Sequence, residues 1–460
     1  MEFVDRENEL ELLGRHLARR GPGMFVLYGR RRIGKTALLE RAIRAIPHAA
    51  YHAGTRSTVV EELSRLSVEL SRAWDVPLLR EQPLASCAAL VAFLEGLTTP
   101  AVLVLDELPF LVESDPALPG LLQAAWDRKL SRSALKLVFA GSSIGMMEAI
   151  FLSPGAPLFG RRTGQLKLGP LPVGSLVAAF PWRAAELLEL AALFGGVPGY
   201  LQRLEPEQDL IGNLSRHVLL RGEPLYEEVP FLLREELREP RVYHAVLASI
   251  AAGARKFGEI SSKVGLDRAN LTRYLGVLID LGLVEREIPV TESHPEKSRK
   301  GLYRIADPFL ATWFSFVHPH RDALERGFGH EVVTHHVRPV LNAYLSRAVE
   351  PVIRDLLKEP PLVDILPFNV AASGRYWSST VELDLVFLDE TRRHAFVAEV
   401  RWSKSKVSVN LIDQLRSRVM REPAFSGLTC TYALISRAGF QGKKRPSSDE
   451  RLIDITGLRW

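Results

Sequence analysis

The sequence predicts an α/β protein of several domains, led by a parallel-sheet core with a phosphate-binding loop near its N-terminus. Three observations predict it. A glycine-rich octapeptide, GRRRIGKT at 29–36, lies between a short apolar run and a helical stretch. Strand-like runs alternate with helical patterns through the first third of the chain, which argues for a parallel sheet covered on both faces. Past residue 240 the pattern changes twice, first to short helices with a hairpin and then to alternating strands. At 460 residues the chain exceeds one core, and at roughly 100–200 residues per domain about three are expected.

Bulk properties narrow the class. With 47% apolar and 25% charged residues, the composition is that of a globular protein and excludes wholesale disorder. A net charge of +5 over this length is compatible with nucleic acid but is weak evidence for it. Two distant cysteines, Cys87 and Cys430, fit neither a disulfide framework nor a zinc site. The start, MEFVDRENEL, lacks the basic-then-apolar layout of a secretory signal, and no apolar run approaches the ~18 residues of a membrane helix. The chain therefore reads as soluble and cytoplasmic, with no membrane partner.

Taken in order, residues 6–20 read as an amphipathic helix through Leu10, Leu13 and Leu17, with Asp5 as N-cap. Met24–Tyr28 predicts the first strand, and Thr36–Ile46 a helix that stops before Pro47. Further strands are predicted at 101–105 and 135–139, with helices at 57–73, 86–96 and 117–130. Residues 172–238 show no convincing strand and predict a helical lid. Residues 240–304 predict three short helices and a hairpin whose tip is 291–300. Residues 306–340 predict helical connectors. From 341 a helix precedes strand-like runs at 362–370, 380–388, 395–402 and 428–435. The expected domains are a core over 1–170, a helical lid over 171–238, a winged helix-turn-helix over 239–305, a connector over 306–340 and a C-terminal α/β domain over 341–460.

GRRRIGKT matches G-x-x-x-x-G-K-[ST] between a strand and a helix, the P-loop pattern for a nucleoside triphosphate, here ATP with Mg2+. Gly29 and Gly34 let the backbone curl, so that successive N–H groups from Arg30 through Ile33 onward point at phosphate oxygens, while the side chains of Arg30, Arg31 and Arg32 would assist phosphate binding or pair with acidic groups nearby. Lys35 would reach the β- and γ-phosphates, and the Thr36 hydroxyl would meet magnesium. AVLVLDE then delivers Asp106 to a strand end as the metal-associated carboxylate, with Glu107 beside it to orient or deprotonate water. The alternative for this pair is a solvated acidic turn. Ser142 or Ser143, in AGSS, would sense the γ-phosphate or cap the helix near Ile144. Arg161 and Arg162 are candidates for a charge-stabilising arginine, in cis or from a neighbouring subunit, or for surface salt bridges.

FVDRENEL, GRRRIGKT, VLVLDEL, the AGSS strand end and GGVPGYL at 195–201 together resemble the archaeal-type ATPase family, in the signal-transducing (STAND) branch of the AAA+-related P-loop proteins. The resemblance covers nearly the whole chain. It implies a P-loop ATPase core, a helical lid, and Pro198 as a lid contact to the nucleotide pocket. The residues of GGVPGYL alone indicate only a turn between helices.

Residues 257–264 and 267–281 have the layout of a helix-turn-helix, with Gly265 in the turn. Leu271, Leu275 and Leu278 share one face, leaving Arg268, Thr272 and Arg273 toward DNA. The segment 283–304 supplies a wing tipped by Lys297, Arg299 and Lys300. Residues 251–304 carry ten Lys/Arg against seven Asp/Glu, a sparse basic face, so docking of a protein partner or a second copy is the alternative.

In VELDLVFL, Val381, Leu383, Leu385 and Phe387 are expected on one strand face, with Glu382 and Asp384 on the other. A loop at 389–394 pairs Leu388 with Ala395, which sets Asp384 opposite Glu399 and Glu382 opposite Arg401. Facing carboxylates call for a cation or a proton, so Asp384 and Glu399 form a candidate magnesium site. This arrangement resembles the restriction-endonuclease-like fold, whose motif is D…(D/E)-x-K. Glu350 would add a third carboxylate and Gln414 a supporting polar group. The motif lysine is replaced by Arg401, which stays protonated and suits water activation poorly. The expected function is thus an ATP-hydrolysing switch controlling a winged helix and a nuclease-like module that act on DNA. The alternatives are an ATP-regulated DNA endonuclease and a non-hydrolysing, ATP-bound DNA-binding regulator.

Overall fold

The computed structural model describes residues 5–360, 362–443 and 445–458. They form two compact units that divide between Pro170 and Leu171. Phe3 and Val4 of FVDRENEL lie outside the described residues.

The first unit is built on five strands, β1 (Gly23–Tyr28), β2 (Ala49–Ala53), β3 (Ala101–Asp106), β4 (Leu135–Gly141) and β5 (Gly164–Lys167). All their pairings are parallel, in the order β2–β3–β4–β1–β5. Every residue of β1, β3 and β4 is buried, as expected of central strands with both faces covered. Around them run α1 (Glu7–Ala18), α2 (Lys35–Ile43), α3 (Val59–Ala73), α4 (Cys87–Gly96), α5 (Leu108–Ser114) and α6 (Leu118–Arg128). A capping box between Thr58 and Glu61 starts α3. Asp5 does not cap α1: the helix begins at Glu7, its N-cap is Arg6, and Asp5 sits at φ 46°. The two edge strands escaped the pattern reading because β2 is alanine-rich and β5 has four residues.

Strand order assembles the site. Placing β4 between β1 and β3 brings the loop after β1, the Ser142 turn after β4 and the Asp106–Glu107 turn after β3 to one carboxyl edge.

In the second unit, α7 (Ala184–Phe194) is buried over the continuous run from Leu187 to Phe194, as befits a helix apolar on all sides. Among the described residues of 172–238 there is no strand. Gly195 and Gly196 end α7 where Leu171 donates its N–H to the Gly196 carbonyl at 2.7 Å. A Cβ on Gly196 would lie 1.9 Å from the Leu171 oxygen, so this glycine is required by close backbone approach. The helix-turn-helix comprises α8 (Pro240–Ala251), α9 (Phe257–Val264) and α10 (Arg268–Asp280). Gly265, left-handed at φ 73°, closes α9, and Asp267 caps α10 through the Asn270 N–H. Strands β6 (Val284–Glu287) and β7 (Leu302–Ile305) pair antiparallel as the wing. Helices α11 (Pro308–Phe316) and α12 (Arg338–Leu356) lead to the C-terminal sheet.

That sheet contains β8 (Ala372–Trp377), β9 (Glu382–Leu388), β10 (His394–Arg401), β12 (Thr429–Ser436) and β14 (Glu450–Asp454), while β11 (Val407–Ser408) and β13 (Phe440–Gln441) pair separately. Its order is β14–β12–β10–β9–β8, parallel on the β14 side of β10 and antiparallel on the other. Helix α13 (Leu411–Met420) covers it through Ile412, Leu415 and Val419. The strand expected at 362–370 is instead a 3-10 turn, Leu362–Ile365, followed by loop. Pro367 in that run lacks the N–H a ladder needs. Pairing of Leu388 with Ala395 is as expected. The simple face alternation of β9 is not: pairing slips from Gly374↔Val386 to Tyr376↔Leu383, an extra residue on β9. The bulge puts Leu383 in one core cluster with Val386 and Leu388 rather than with Phe387.

Candidate functional site

The loop after β1 is shaped by two glycines. A Cβ on Gly29 would sit 2.5 Å from the Leu168 carbonyl oxygen, and Gly34 stands left-handed at φ 94° as N-cap of α2. Arg6, a residue the pattern reading passed over, braces this loop. Its buried guanidinium donates to the Ile33 carbonyl at 3.4 Å and the Gly169 carbonyl at 2.6 Å, with Glu9 as its ion-pair partner at 2.7 Å. Ile33 itself is buried. Arg32 adopts a left-handed φ of 61°, and Arg31 lies 6.0 Å from the Phe110 ring centroid, so these arginines are partly structural.

Lys35 is 5% exposed, and its Nζ donates to the Gly29 and Arg30 carbonyls at 2.9 and 3.1 Å. The Thr36 hydroxyl donates to Asp106 Oδ2 at 2.7 Å, and so does the hydroxyl of Tyr51, from β2. Burial, and then the neighbouring Asp106 charge, keeps the Tyr51 phenol protonated far above its ordinary range. Asp106 Oδ1 accepts the Glu107 N–H at 2.9 Å. Every partner named for this carboxylate is a neutral donor, and with the Thr36 oxygen it forms a hard-oxygen pair of the kind magnesium takes.

Glu107 is left-handed at φ 50°, a conformation that for this residue type marks a constrained turn. Its Oε2 accepts the Ser142 N–H at 3.0 Å and the Ser142 hydroxyl at 2.7 Å, while Oε1 lies 4.0 Å from Lys35 Nζ. Ser142 thus holds the glutamate. Ser143 precedes the short helix Ile144–Met147 without a side-chain cap hydrogen bond. Arg161 makes a two-pronged pair with Asp127 at 2.8 and 2.7 Å, and Arg162 donates to the Phe151 carbonyl at 2.9 Å. Pro198 opens the short helix Pro198–Leu201 of the second unit, where Tyr200 packs on Phe309 at 4.6 Å.

The C-terminal carboxylates are held differently. Arg401 pairs with Glu399, two residues back on its own strand, and not with Glu382 as the register suggested. Arg418, from α13, takes the other Glu399 oxygen. Gln414 is exposed, one turn short of that contact. Glu382 pairs with Arg375 of β8, whose guanidinium also lies 3.6 Å from Glu287 and 3.7 Å from Glu350. The bulge explains the change: Asp384 turns to accept the Val400 N–H at 2.9 Å. Burial, together with the Asp384 charge, pushes the Glu350 carboxyl up to about 8, and burial raises Asp384 as well. Among the described residues, no group of three or more His, Cys, Asp or Glu side chains is arranged to hold a metal.

Of the expected DNA contacts, Arg268, Thr272, Lys297, Arg299 and Lys300 line one cleft. Arg273 points elsewhere, pairing with Glu239 at 3.2 Å and lying 4.8 Å from the Tyr274 ring centroid. No helix among the described residues is long and apolar enough to cross a membrane.

Comparison with known proteins agrees with the two better-defined parts. Residues 3–204 match the family described as an ATPase domain predominantly from Archaea, and residues 244–287 match the IclR helix-turn-helix domain. Residues 313–412 match DUF234, described as archaeal and bacterial proteins of unknown function. An uncharacterized protein of Methanocaldococcus jannaschii, MJECL04, is 33% identical over 408 residues, 88% of either chain. Among solved structures, the Walker-type ATPase PABY2304 of Pyrococcus abyssi superposes with a TM-score of 0.51 at 21% identity, covering 68% of this chain and 96% of that one. The likeness is one of fold.

Proposed function

This chain belongs to the same family as the Methanocaldococcus jannaschii protein, and from that premise we propose that it is an ATP-hydrolysing switch whose second unit acts on DNA. The observation that carries this reading is the Thr36 hydroxyl held 2.7 Å from the Asp106 carboxylate at the carboxyl edge of a parallel sheet. When bound there, magnesium would supply charge neutralisation on the β- and γ-phosphates. The N–H groups of 29–36, the start of α2 and Lys35 bind and orient the phosphate chain. Glu107 takes the proton of the attacking water on its carboxylate, and Ser142, donating twice to that group, sets where it points. The quoted motifs support the finer assignment to the STAND branch.

For the C-terminal domain we favour a restriction-endonuclease-like module that binds nucleic acid without cutting it. Guanidinium groups already neutralise Glu399 and Glu382, and that supports binding over cleavage. Isothermal titration of Mg-ATP into the wild type and Lys35→Ala tests the core proposal. Binding by the wild type and its loss in the variant are expected. A wild type that takes up no ATP would refute it.

A further inference from the structure

The recognition helix, the wing and the C-terminal sheet border a single cleft of about 1110 Å³. Helix α10 contributes Arg268 and Thr272, the wing contributes Lys297, Arg299 and Lys300, and the end of β8 with its following turn contributes Trp377 to Ser379. Six cationic side chains line it against one lining carboxylate, Glu296, and one of the six, Lys300, is paired with Glu292 at 2.5 Å. This local excess is much sharper than the average over 251–304. The ring of Tyr303, half-buried on the wing, lines it too, as does the half-buried Trp377 indole.

The wing is fixed where its tip begins. Val290 donates its N–H to the Arg375 carbonyl of β8 at 3.0 Å, and Arg392, in the β9–β10 turn, reaches the Thr291 and Glu292 carbonyls at 3.4 Å. Reading duplex DNA requires a recognition helix to lie in a major groove roughly 12 Å wide with a phosphate backbone on either side. Here the wall at Trp377–Ser379 borders the same cleft as Arg268 and Thr272. The volume lies just above the roughly 300–1,000 Å³ of small-ligand clefts, enough for a few nucleotides of one strand.

We propose that this cleft binds a single strand of nucleic acid, its phosphates against the recognition helix and wing and its bases stacked on Trp377 and Tyr303. Cationic tracks interleaved with aromatic rings are how sequence-tolerant single-strand binding is built. The proposal rests on the reading that the second unit acts on DNA and narrows it to the form of the ligand.

Fluorescence anisotropy on the full chain tests it, with a labelled oligothymidylate and a labelled mixed-sequence duplex over a salt series. The single strand is expected to bind more tightly, and Trp377→Ala to weaken it about tenfold while Trp377→Phe retains affinity. Lys297→Gln with Arg299→Gln should lower the single-strand salt slope by about 0.7 per charge removed, without depending on any core residue. Duplex binding equal to or tighter than single-strand binding, unchanged by Trp377→Ala, overturns the cleft proposal and leaves the helix-turn-helix reading standing. Binding of neither probe overturns that reading itself.

Discussion

The protein carries two clusters of carboxylates, and they are held by different kinds of partner. In the first unit, Asp106 accepts from the hydroxyls of Thr36 and Tyr51, and Glu107 from Ser142. In the C-terminal sheet, Glu399 is shared by Arg401 and Arg418, while Arg375 serves Glu287, Glu350 and Glu382. Hydroxyl partners orient a carboxylate and leave its charge for a cation. Guanidinium partners neutralise it, and removing one from a buried pair strands the other. Clustered carboxylates therefore do not by themselves define a metal site; their partners do.

The largest effect should separate the two sets. Asp106→Asn is expected to lower ATP turnover about a thousandfold, and Asp384→Asn to leave it within about twofold. Comparable losses in steady-state phosphate release would erase the distinction. Next, Arg375→Ala should destabilise the chain by about 3 kcal/mol in chemical denaturation, because it uncovers several acids at once. Recovery of that loss on adding Mg2+ would show that the arginine stands where a cation otherwise would. A variant as stable as the wild type would break the comparison.

A smaller effect comes from Glu350, whose carboxyl is pushed up to about 8 by burial and the Asp384 charge. Folded, it holds its proton more tightly than when unfolded. Its stabilising contribution is therefore complete below the unfolded value of about 4.3 and is lost as pH rises through the folded value. Glu350→Gln, uncharged throughout, should match the wild type near pH 4 and be the more stable of the two, by as much as a few kcal/mol, near pH 9. Equal melting curves at the higher pH would contradict this. Smallest of all, Arg273→Ala should change nucleic-acid affinity by about twofold or less, since its partners are Glu239 and Tyr274.

Which of these residues the sequence announced depended on range. GRRRIGKT is contiguous, its two glycines are needed for steric reasons, and the buried strands of the core are long apolar runs, so these were legible. The Leu388–Ala395 pairing followed from loop length alone. Tyr51 was not legible, because it reaches Asp106 from an alanine-rich edge strand fifty-five residues away. Nor was Arg6, whose contacts with Ile33 and Gly169 need the fold in place. In the C-terminal sheet a single extra residue on β9 defeated the alternation rule and moved Asp384, Glu382 and Arg401 to other partners. Bulges leave no mark in a period-two pattern. Arg418 was missed in favour of Gln414, one helical turn earlier.

Turnover in this scheme requires Glu107, oriented by Ser142, to act on water while the phosphate loop does the binding. Titration of Mg-ATP into Glu107→Gln, followed by phosphate release under single-turnover conditions, tests this most directly. Wild-type affinity is expected, with release slowed about a hundredfold or more. Release at the wild-type rate from that variant would contradict it.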